Sequence, residues 1–250
     1  MPNAWDEGSA VIFASLGFGA VATTSGGFAA TKGKLDGSLS RGEVLEHVAA
    51  LVQATDVPVS ADLENCFAHD PDGVAATVSA AVAVGIAGCS VEDYSGHDDD
   101  RIYELAHATE RVAAAAEAAH RGGASVVLTA RAENYLHGRR DLGDTVARLH
   151  AYQEAGADVV FAPRLHDPAE LAELIASVDV PVSVLALPGA PSVGELGELG
   201  VKRISTGGAL TVAAYGALVE AATQLRDHGT YGYWDLMAEG GAALAAALAR

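Results

Sequence analysis

Seven short β-branched runs alternate along the chain with longer segments rich in Ala, Leu and Glu, and this alternation predicts an α/β fold, a (β/α)8 TIM barrel. Successive runs start 22 to 38 residues apart, which leaves room each time for a right-handed crossover helix. A length of 250 residues, half of them apolar, suits one barrel-sized domain. We therefore expect a single domain over residues 1–250, with residues 228–250 as a C-terminal helical extension.

The predicted strands lie in these runs, at residues 20–25, 57–64, 88–93, 126–133, 158–163, 181–186 and 203–208. A closed barrel needs an eighth strand, and residues 2–5 are the place left for it. Either those residues form a minimal first strand or the N-terminus is shortened relative to the ancestral domain. An open doubly wound sheet is the alternative, but no G-x-G-x-x-G turn follows an early strand, so a dinucleotide-binding fold is disfavoured.

Helix signals stand between the runs. Ser40-Arg-Gly-Glu43 has capping-box spacing, and Asp70-Pro71 places an N-cap before a proline at the first helical position. Apolar residues recur at helical spacing over residues 41–55, as a helix packed on a sheet requires. Gly156 ends a further helical segment, which predicts a left-handed C-cap there, and the Ala-rich residues 242–250 are expected to be helical.

The composition excludes several classes of function. The formal net charge is −18, from 33 acidic and 15 basic residues, which disfavours nucleic acid as a partner. Two cysteines cannot form a disulfide framework, and we find neither a signal peptide nor a membrane-length apolar run, so we expect a cytoplasmic protein without a membrane partner. None of the three lysines, Lys32, Lys34 and Lys202, ends a predicted strand, which disfavours Schiff-base chemistry.

Acidic residues close two consecutive predicted strands. Asp62 and Glu64 end the run 57–64, and Glu92 and Asp93 end the next. Functional sites of such barrels lie at the carboxyl ends of the strands, where strand alternation would direct Asp62 and Glu64 the same way, with Glu92 beside them. Oxygen ligands of this kind suit Mg²⁺ or Mn²⁺, with water in the remaining positions. The sequence predicts a metal site here; the alternative is a set of polar strand ends that face solvent or cap a helix.

Arg131 ends the following strand, with Glu133 two residues further on. A guanidinium at this end of the barrel can clamp a carboxylate or phosphonate in bidentate fashion, or it can form an ion pair with Glu92 or Glu133. The segment Thr24-Ser-Gly-Gly27 offers a hydroxyl and closely approachable backbone N–H groups, which can hold an anionic ligand. These residues together indicate a site for a small acid.

Six motifs occur in order: Pro2-Asn-Ala-Trp-Asp6, Ala22-Thr-Thr-Ser-Gly-Gly27, Ser60-Ala-Asp-Leu-Glu64, Val91-Glu-Asp93, Leu128-Thr-Ala-Arg131 and Ala155-Gly-Ala-Asp158. They resemble the isocitrate lyase/phosphoenolpyruvate mutase superfamily from residue 2 to about residue 230. The resemblance implies a TIM barrel, a Mg²⁺ (or Mn²⁺) cofactor and a small oxo or hydroxy acid substrate. It also implies a homo-oligomer, dimer or tetramer, in which the last helix, about residues 209–226, is exchanged between subunits.

The resemblance also implies roles for individual residues. Asp62, Glu64 and Glu92 would hold the metal directly or through water. Asp36 and Arg131 would be catalytic, and His97 is the candidate acid because it lies on the short loop expected to cover the site. The substrate-binding residues would be Trp5, Ser25, Gly26, Gly27, Asp62, Arg131 and Glu133.

The chain departs from the characterised branches at three places. Isocitrate and methylisocitrate lyases carry a Lys-Lys/Arg-Cys-Gly-His loop where residues 94–101 read Tyr-Ser-Gly-His-Asp-Asp-Asp-Arg, so the catalytic cysteine is missing. The mutase and phosphonopyruvate hydrolase branch usually has a histidine where this chain has Ala162-Pro163. Asn65-Cys-Phe-Ala68 replaces the usual glycine–aromatic–glycine turn beside the metal carboxylates.

We therefore predict a Mg²⁺-dependent lyase that cleaves a C–C bond of a small 2-oxo or hydroxy (di)carboxylic acid through an enolate, in an oxaloacetate-decarboxylase-like or methylisocitrate-lyase-like reaction. One alternative is C–P bond chemistry on phosphonopyruvate or phosphoenolpyruvate, by a mutase or hydrolase. Another is a non-catalytic barrel that binds an oxo acid. His69 is a second candidate acid, and Cys66 is a weaker candidate nucleophile because no partner base is identifiable.

Overall fold

Eight parallel strands form one sheet in a computed structural model that describes residues 1–96, 102–123 and 125–249. Each strand pairs with the next one along the chain, so the sheet runs in sequence order. The strands are β1 (Asn3–Ala4), β2 (Val21–Thr23), β3 (Val59–Asp62), β4 (Gly88–Glu92), β5 (Val127–Arg131), β6 (Val159–Phe161), β7 (Val182–Leu185) and β8 (Arg203–Ser205). The predicted TIM barrel is confirmed, including its short first strand.

Helices alternate with the strands. They are α1 (Glu7–Ser15), α2 (Ser25–Thr31), α3 (Arg41–Ala54), α4 (Pro71–Ala83), α5 (Leu105–His120), α6 (Leu142–Glu154), α7 (Pro168–Ser177), α8 (Val193–Leu199), α9 (Ala209–His228) and α10 (Trp234–Leu248). The predicted caps are present, because the Ser40 hydroxyl and the Glu43 carboxylate form a capping box and Asp70 accepts from the Gly73 N–H. Gly156 follows α6 with φ 102°, the left-handed conformation predicted for it.

The first and last strands meet through polar contacts that nearly close the barrel. The Met1 ammonium donates to the Ile204 carbonyl oxygen at 2.8 Å, and the Asn3 N–H donates to Thr206 Oγ1 at 3.1 Å. Asn3 Oδ1 accepts from the backbone N–H groups of Thr206 and Gly207 at 2.9 and 3.0 Å. A buried asparagine on β1 therefore binds the loop that follows β8, at the same end of the barrel as the predicted site.

Strand alternation separates the outer core from the barrel interior. On β5, Leu128 and Ala130 are fully buried in the core between sheet and helices, while Thr129 and Arg131 point inward. This outer core collects most of the buried aliphatic residues of the chain and stabilises the barrel by removing apolar surface from water. The interior is left to the side chains that build the site.

The two C-terminal helices are arranged differently from the barrel helices. Helix α10 packs against α1, and it begins earlier than the predicted helical residues 242–250. Helix α9 buries only Thr211, at its start, and leaves Val212, Leu218 and Val219 at least 60% exposed.

In the part of the chain that the structure describes, no helix combines the length and apolarity needed to span a bilayer.

Candidate active site

A polar cavity opens at the carboxyl ends of the strands. Its lining includes the segment from Thr23 to Gly26, the strand residues Asp62 and Arg131, and the glycines that follow β8. A second, shallower cavity beside it is lined by Glu64, Glu92 and Glu133. Most of the residues predicted for the site therefore meet at one end of the barrel, namely Ser25, Gly26, Asp36, Asp62, Glu64, Glu92, Arg131 and Glu133.

Arg131 is the centre of this charged group. Its Nη1 lies 3.1 Å from Asp62 Oδ1, its Nη2 lies 3.2 Å from Glu92 Oε2, and its Nε lies 2.7 Å from Glu133 Oε1. All four side chains are at most 16% exposed, and the neighbouring carboxylates raise the pKa of Arg131 although burial alone would lower it. The ion pairs considered for Arg131 from the sequence are confirmed, while its role as a substrate clamp stays a prediction.

Glu64 is a buried acid of the site with a strongly raised pKa. Burial, followed by the charges of Asp62 and Asp36, raises the pKa of Glu64 to about 8. Its Oε1 is buried and finds no hydrogen-bond partner in the part of the chain that the structure describes. Burial also raises the pKa of Glu92 well above its usual value, against the attraction of Arg131.

The donor set fits a hard cation, although the side chains are not arranged around one. Among the described residues, no three His, Cys, Asp or Glu side chains stand close enough together to hold a metal ion. Asp62 and Glu92 are instead ion-paired with Arg131. Oxygen-only donors and the unpartnered Glu64 oxygen suit Mg²⁺, which retains several water ligands and needs few protein carboxylates.

The loop after β3 presents Glu64 by means of strained backbone. Glu64, Cys66 and Phe67 have φ values of 51°, 60° and 57°, so the strand alternation assumed from the sequence stops at Asp62. Arg111, buried on α5, holds this loop: its Nη2 donates to the Asn65 carbonyl at 2.8 Å and its Nη1 to the Ala68 carbonyl. Sequence reasoning missed Arg111, because an arginine in an Ala-rich helix carries no local signal of its contacts with a distant loop.

The segment after β2 is fitted closely against the acids. The Ser25 N–H donates to Asp62 Oδ2 at 3.2 Å, and the Gly27 N–H donates to Thr24 Oγ1 at 3.2 Å. A Cβ on Gly27 would lie 2.5 Å from Thr24 Cγ2, and a Cβ on Gly26 would lie 3.0 Å from Asp36 Oδ2. Close packing thus requires Gly27, and Gly26 leaves room for the Asp36 carboxylate, which lines the cavity.

Asp93 turns away from the cavity and supports it from behind. Its Oδ1 accepts from the Glu133 N–H at 2.8 Å, and its Oδ2 accepts from Tyr152 Oη at 2.6 Å and from Arg148 Nη1 at 3.1 Å. Burial raises the pKa of Asp93 to about 6 in spite of these donors. This buried network fixes the backbone that carries Glu133.

Several candidates fall outside the cavity. Trp5 packs edge-to-face on Phe13, with ring centroids 6.1 Å apart, and lies beside the site, so its substrate-binding role stays a prediction. His97 lies outside the described residues. His69 contacts Tyr103 Oη through its Nδ1. Cys66 is fully buried, and burial raises the pKa of its thiol well above the usual value, which opposes a nucleophilic role.

His137 is a site residue that sequence reasoning missed. It lines the shallower cavity with Glu64 and Glu92 and stacks on Tyr94, with ring centroids 4.1 Å apart. The turn after β5 positions it, since the His137 N–H donates to the Glu133 carbonyl at 3.0 Å. Its distance in sequence from the strand end concealed it.

Comparison with known proteins identifies the family. A family model described as phosphoenolpyruvate phosphomutase matches residues 1–226. The chain belongs to the phosphoenolpyruvate phosphomutase family. This membership confirms the resemblance to the isocitrate lyase/phosphoenolpyruvate mutase superfamily. Among the relatives of this family member is the uncharacterized protein Rv1998c of Mycobacterium tuberculosis H37Rv, 34% identical over 91% of this chain and 84% of that protein.

Solved structures extend the comparison. A lyase/mutase candidate from Burkholderia cenocepacia J2315 is 49% identical with a TM-score of 0.91, covering 93% of this chain and 84% of that one. A 2,3-dimethylmalate lyase is 26% identical with a TM-score of 0.83, over 92% and 83% of the two chains. A phosphonopyruvate hydrolase in complex with oxalate and Mg²⁺ is 25% identical with a TM-score of 0.83, over 94% and 84%. The superfamily contains lyases and mutases, which supports an enzymatic role for this phosphoenolpyruvate phosphomutase family member.

Proposed function

We propose that this family member is a Mg²⁺-dependent lyase that cleaves a C–C bond of a small 2-oxo or hydroxy dicarboxylic acid. The observation that carries the proposal is the buried set of carboxylates around Arg131 together with Glu64 beside them, one oxygen of which has no partner among the described residues. Asp62, Glu64 and Glu92 are the residues that would hold the ion. When bound, Mg²⁺ would supply a Lewis acid for the oxo group and offset the negative charge that develops there.

The protein's own groups account for binding and orientation. The guanidinium of Arg131 fixes the orientation of three carboxylates, and it lines the cavity that an acid substrate would enter. Leu136, Phe161 and Leu185 are apolar residues of the cavity lining, and they would exclude water from the carbon chain of the substrate. The 2,3-dimethylmalate lyase supports a C–C bond as the one that breaks, while the phosphonopyruvate hydrolase keeps a C–P bond in the test.

The first experiment measures thermal unfolding with and without MgCl₂, and then with oxaloacetate, 2-methylisocitrate, phosphonopyruvate or 2-oxoglutarate. Pyruvate and phosphate release are followed in the same samples. We expect stabilisation by the metal, worth about 2.7 kcal/mol at a hundredfold excess over its Kd, and turnover of one diacid. Phosphate release from phosphonopyruvate would instead identify C–P chemistry, and binding without product would identify an oxo-acid-binding barrel.

Matched variants connect the response to the site. Glu64→Gln should reduce the stabilisation by Mg²⁺ and the turnover, because it replaces a charged oxygen ligand with a neutral amide. Glu173→Gln makes the same chemical change on an exposed face of α7 and should leave both unchanged. Equal responses of the two variants, or no effect of MgCl₂ on the native protein, would overturn the metal-site proposal.

We further propose that the enzyme is a homo-oligomer in which α9 packs against another subunit. Its exposed Val212, Leu218 and Val219 form apolar surface that a partner would cover. Light scattering coupled to size exclusion should report a dimer or tetramer, and Val219→Asp should shift it toward monomer. A native protein that is monomeric at micromolar concentration would contradict this arrangement.

A further inference from the structure

The interior of the barrel is unusually polar one layer below Asp62 and Arg131. Barrel interiors are commonly filled by bulky branched residues. Here hydroxyl side chains occupy inward positions on five strands, namely Ser60, Ser90, Thr129, Ser183 and Ser205. Ser183 is assigned inward because its neighbours Val182 and Val184 pack in the outer core. Small side chains in this layer let the cavity extend downward from the carboxylates.

Arg203 reaches into this layer from β8. Its Nη1 donates to Thr129 Oγ1 at 2.8 Å and its Nη2 donates to Ser60 Oγ at 3.5 Å, and it lines the same cavity as Asp62. Within the described part of the chain, no carboxylate comes within 4.0 Å of its nitrogens, in contrast to Arg131. A guanidinium has five N–H donors, and a partly buried one without a counter-ion is unfavourable.

A second, independent observation at this level concerns the hydroxyl of Ser183. Ser183 is 1% exposed, and among the described residues its Oγ has no hydrogen-bond partner. Its Cα is paired in register with that of Arg203, so this hydroxyl and the Arg203 guanidinium belong to neighbouring positions on β7 and β8. Buried polar atoms of this kind are normally satisfied, by protein, water or ligand.

The charges of the cavity are separated along the barrel axis. The carboxylates gather at the open end of the cavity, whereas Arg203 is the cation at its floor. A separate cavity on the other side of Arg203 is lined mainly by apolar residues such as Pro58 and Val127. Ser60 and Asp62, two residues apart on β3, place the floor roughly 6 to 7 Å below the carboxylates. A four-carbon chain spans roughly 4 Å between its end carbons, and its carboxylate oxygens extend the reach.

We propose that Arg203 binds the second carboxylate of a dicarboxylic 2-oxo acid whose oxo-acid end lies among the carboxylates at the cavity mouth. The proposal rests on the proposed function and deepens it, because it assigns the residue that distinguishes diacids from monoacids. Thr129 and Ser60 position the guanidinium, and Ser183 offers a further hydroxyl to the ligand or to a water beside it. Phosphonopyruvate presents a tetrahedral anion to the same floor and serves as the competing probe.

Calorimetric titration in MgCl₂ tests this without relying on turnover. Three ligands are compared: oxalate, which is too short to reach the floor; 2-oxobutyrate, which has four carbons but no second carboxylate; and 3,3-difluoro-oxaloacetate. Phosphonopyruvate is titrated beside them as the competing probe. We expect Arg203→Met to weaken binding of difluoro-oxaloacetate roughly 10- to 100-fold, the range of a charge-assisted hydrogen bond, while oxalate and 2-oxobutyrate change less than about threefold. Arg203→Lys should recover part of the loss.

The outcomes of these titrations distinguish the proposed oxo-acid site from the proposed role of Arg203. Absence of oxalate binding to the native protein would overturn the oxo-acid site and the Arg203 proposal with it. Oxalate binding combined with equal affinities of the native protein for 2-oxobutyrate and difluoro-oxaloacetate would overturn the Arg203 proposal alone, and it needs no variant to fold. An equal loss of all three ligands in Arg203→Met would likewise show that Arg203 only supports the barrel. A preference for phosphonopyruvate that Arg203→Met abolishes would overturn the dicarboxylate in favour of a phosphonate.

Discussion

Replacement of Arg131 by methionine tests whether the site is held together by one cation. The side chain keeps a similar length but loses all three ion pairs, at 3.1 Å to Asp62, 3.2 Å to Glu92 and 2.7 Å to Glu133. None of the three acids is more than 16% exposed, so water cannot solvate them freely once the guanidinium is gone. The variant therefore confines several like charges around a hydrophobic side chain.

The expected loss follows from this burial. Removing one partner of a buried ion pair costs about 3 to 5 kcal/mol, because the remaining charge stays desolvated. Asp62 keeps hydrogen bonds from the Ser25 N–H and Ser90 Oγ, at 3.2 and 3.3 Å, which moderates its share. Glu92 and Glu133, with pKa values already raised by burial, can take up protons. We expect the free energy of unfolding to fall by about 3 kcal/mol at pH 8 without metal.

The pH dependence has a definite sign. Loss of the cation raises the pKa values of the surrounding carboxyl groups in the folded state, while those of the unfolded chain stay near their ordinary values. Between about pH 5 and pH 8 the folded variant then binds more protons than its unfolded chain, so its stability falls as pH rises. The free energy of unfolding of Arg131→Met should lie below that of the native protein by at least about 1 kcal/mol more at pH 8 than at pH 5. This difference corresponds to a pKa shift of about one unit in one carboxyl group.

Urea unfolding at pH 5, 6.5 and 8 in the presence of a chelator measures these differences. Arg121→Met is the matched control, because Arg121 forms an exposed ion pair with Glu117 that should contribute less than about 1 kcal/mol. Added MgCl₂ should restore part of the stability of Arg131→Met by supplying a counter-charge. If Arg131→Met were no less stable than Arg121→Met, or if its deficit grew on acidification, the account of the site as a cation-dependent carboxylate cluster would be wrong.

Two further predictions concern the supports of the site. Tyr152→Phe removes the hydroxyl that donates to Asp93 Oδ2 at 2.6 Å, and it should lower the free energy of unfolding by about 1.5 to 3 kcal/mol, while Tyr231→Phe, at an exposed ring, should change it little. His47 is stacked on Phe28, and burial lowers its pKa to about 4. Between about pH 6.5 and pH 4 the unfolded chain therefore binds a proton that the folded protein does not, so the free energy of unfolding falls on acidification. Between about pH 6.5 and pH 4, the free energy of unfolding of His47→Leu should fall by about 2 to 3 kcal/mol less than that of the native protein in the same urea titrations. Equal acid sensitivity of both proteins would contradict the burial argument.

The fold was predictable because its signals are local. The β-branched runs, capping boxes and helix-ending glycines each report a conformation of a few adjacent residues, and Ser40 and Gly156 adopt the predicted ones. The first strand was harder to predict, since β1 is two residues long and its closure depends on Asn3 bonding to the loop after β8. No periodicity in the sequence reports a contact across some two hundred residues.

The predicted carboxylates gather as expected because parallel strands align their carboxyl ends, and this argument requires only the order of the strands. It fails where the backbone departs from a strand. Glu64 reaches the site through a left-handed turn held by Arg111, and His137 reaches it from a turn six residues beyond Arg131. Such positions depend on tertiary contacts that a pattern of alternation does not contain.

Arg203 shows a different limit of sequence reasoning. As the first residue of β8 it lies at the end of the strand opposite the site, so its position argues against a functional role. The length of the side chain and the small residues around it reverse that conclusion, because Ser60 and Thr129 leave space for the guanidinium to cross the interior toward the cavity. Small polar residues at inward positions of a barrel strand therefore indicate space inside the barrel, which a long side chain from another strand can cross.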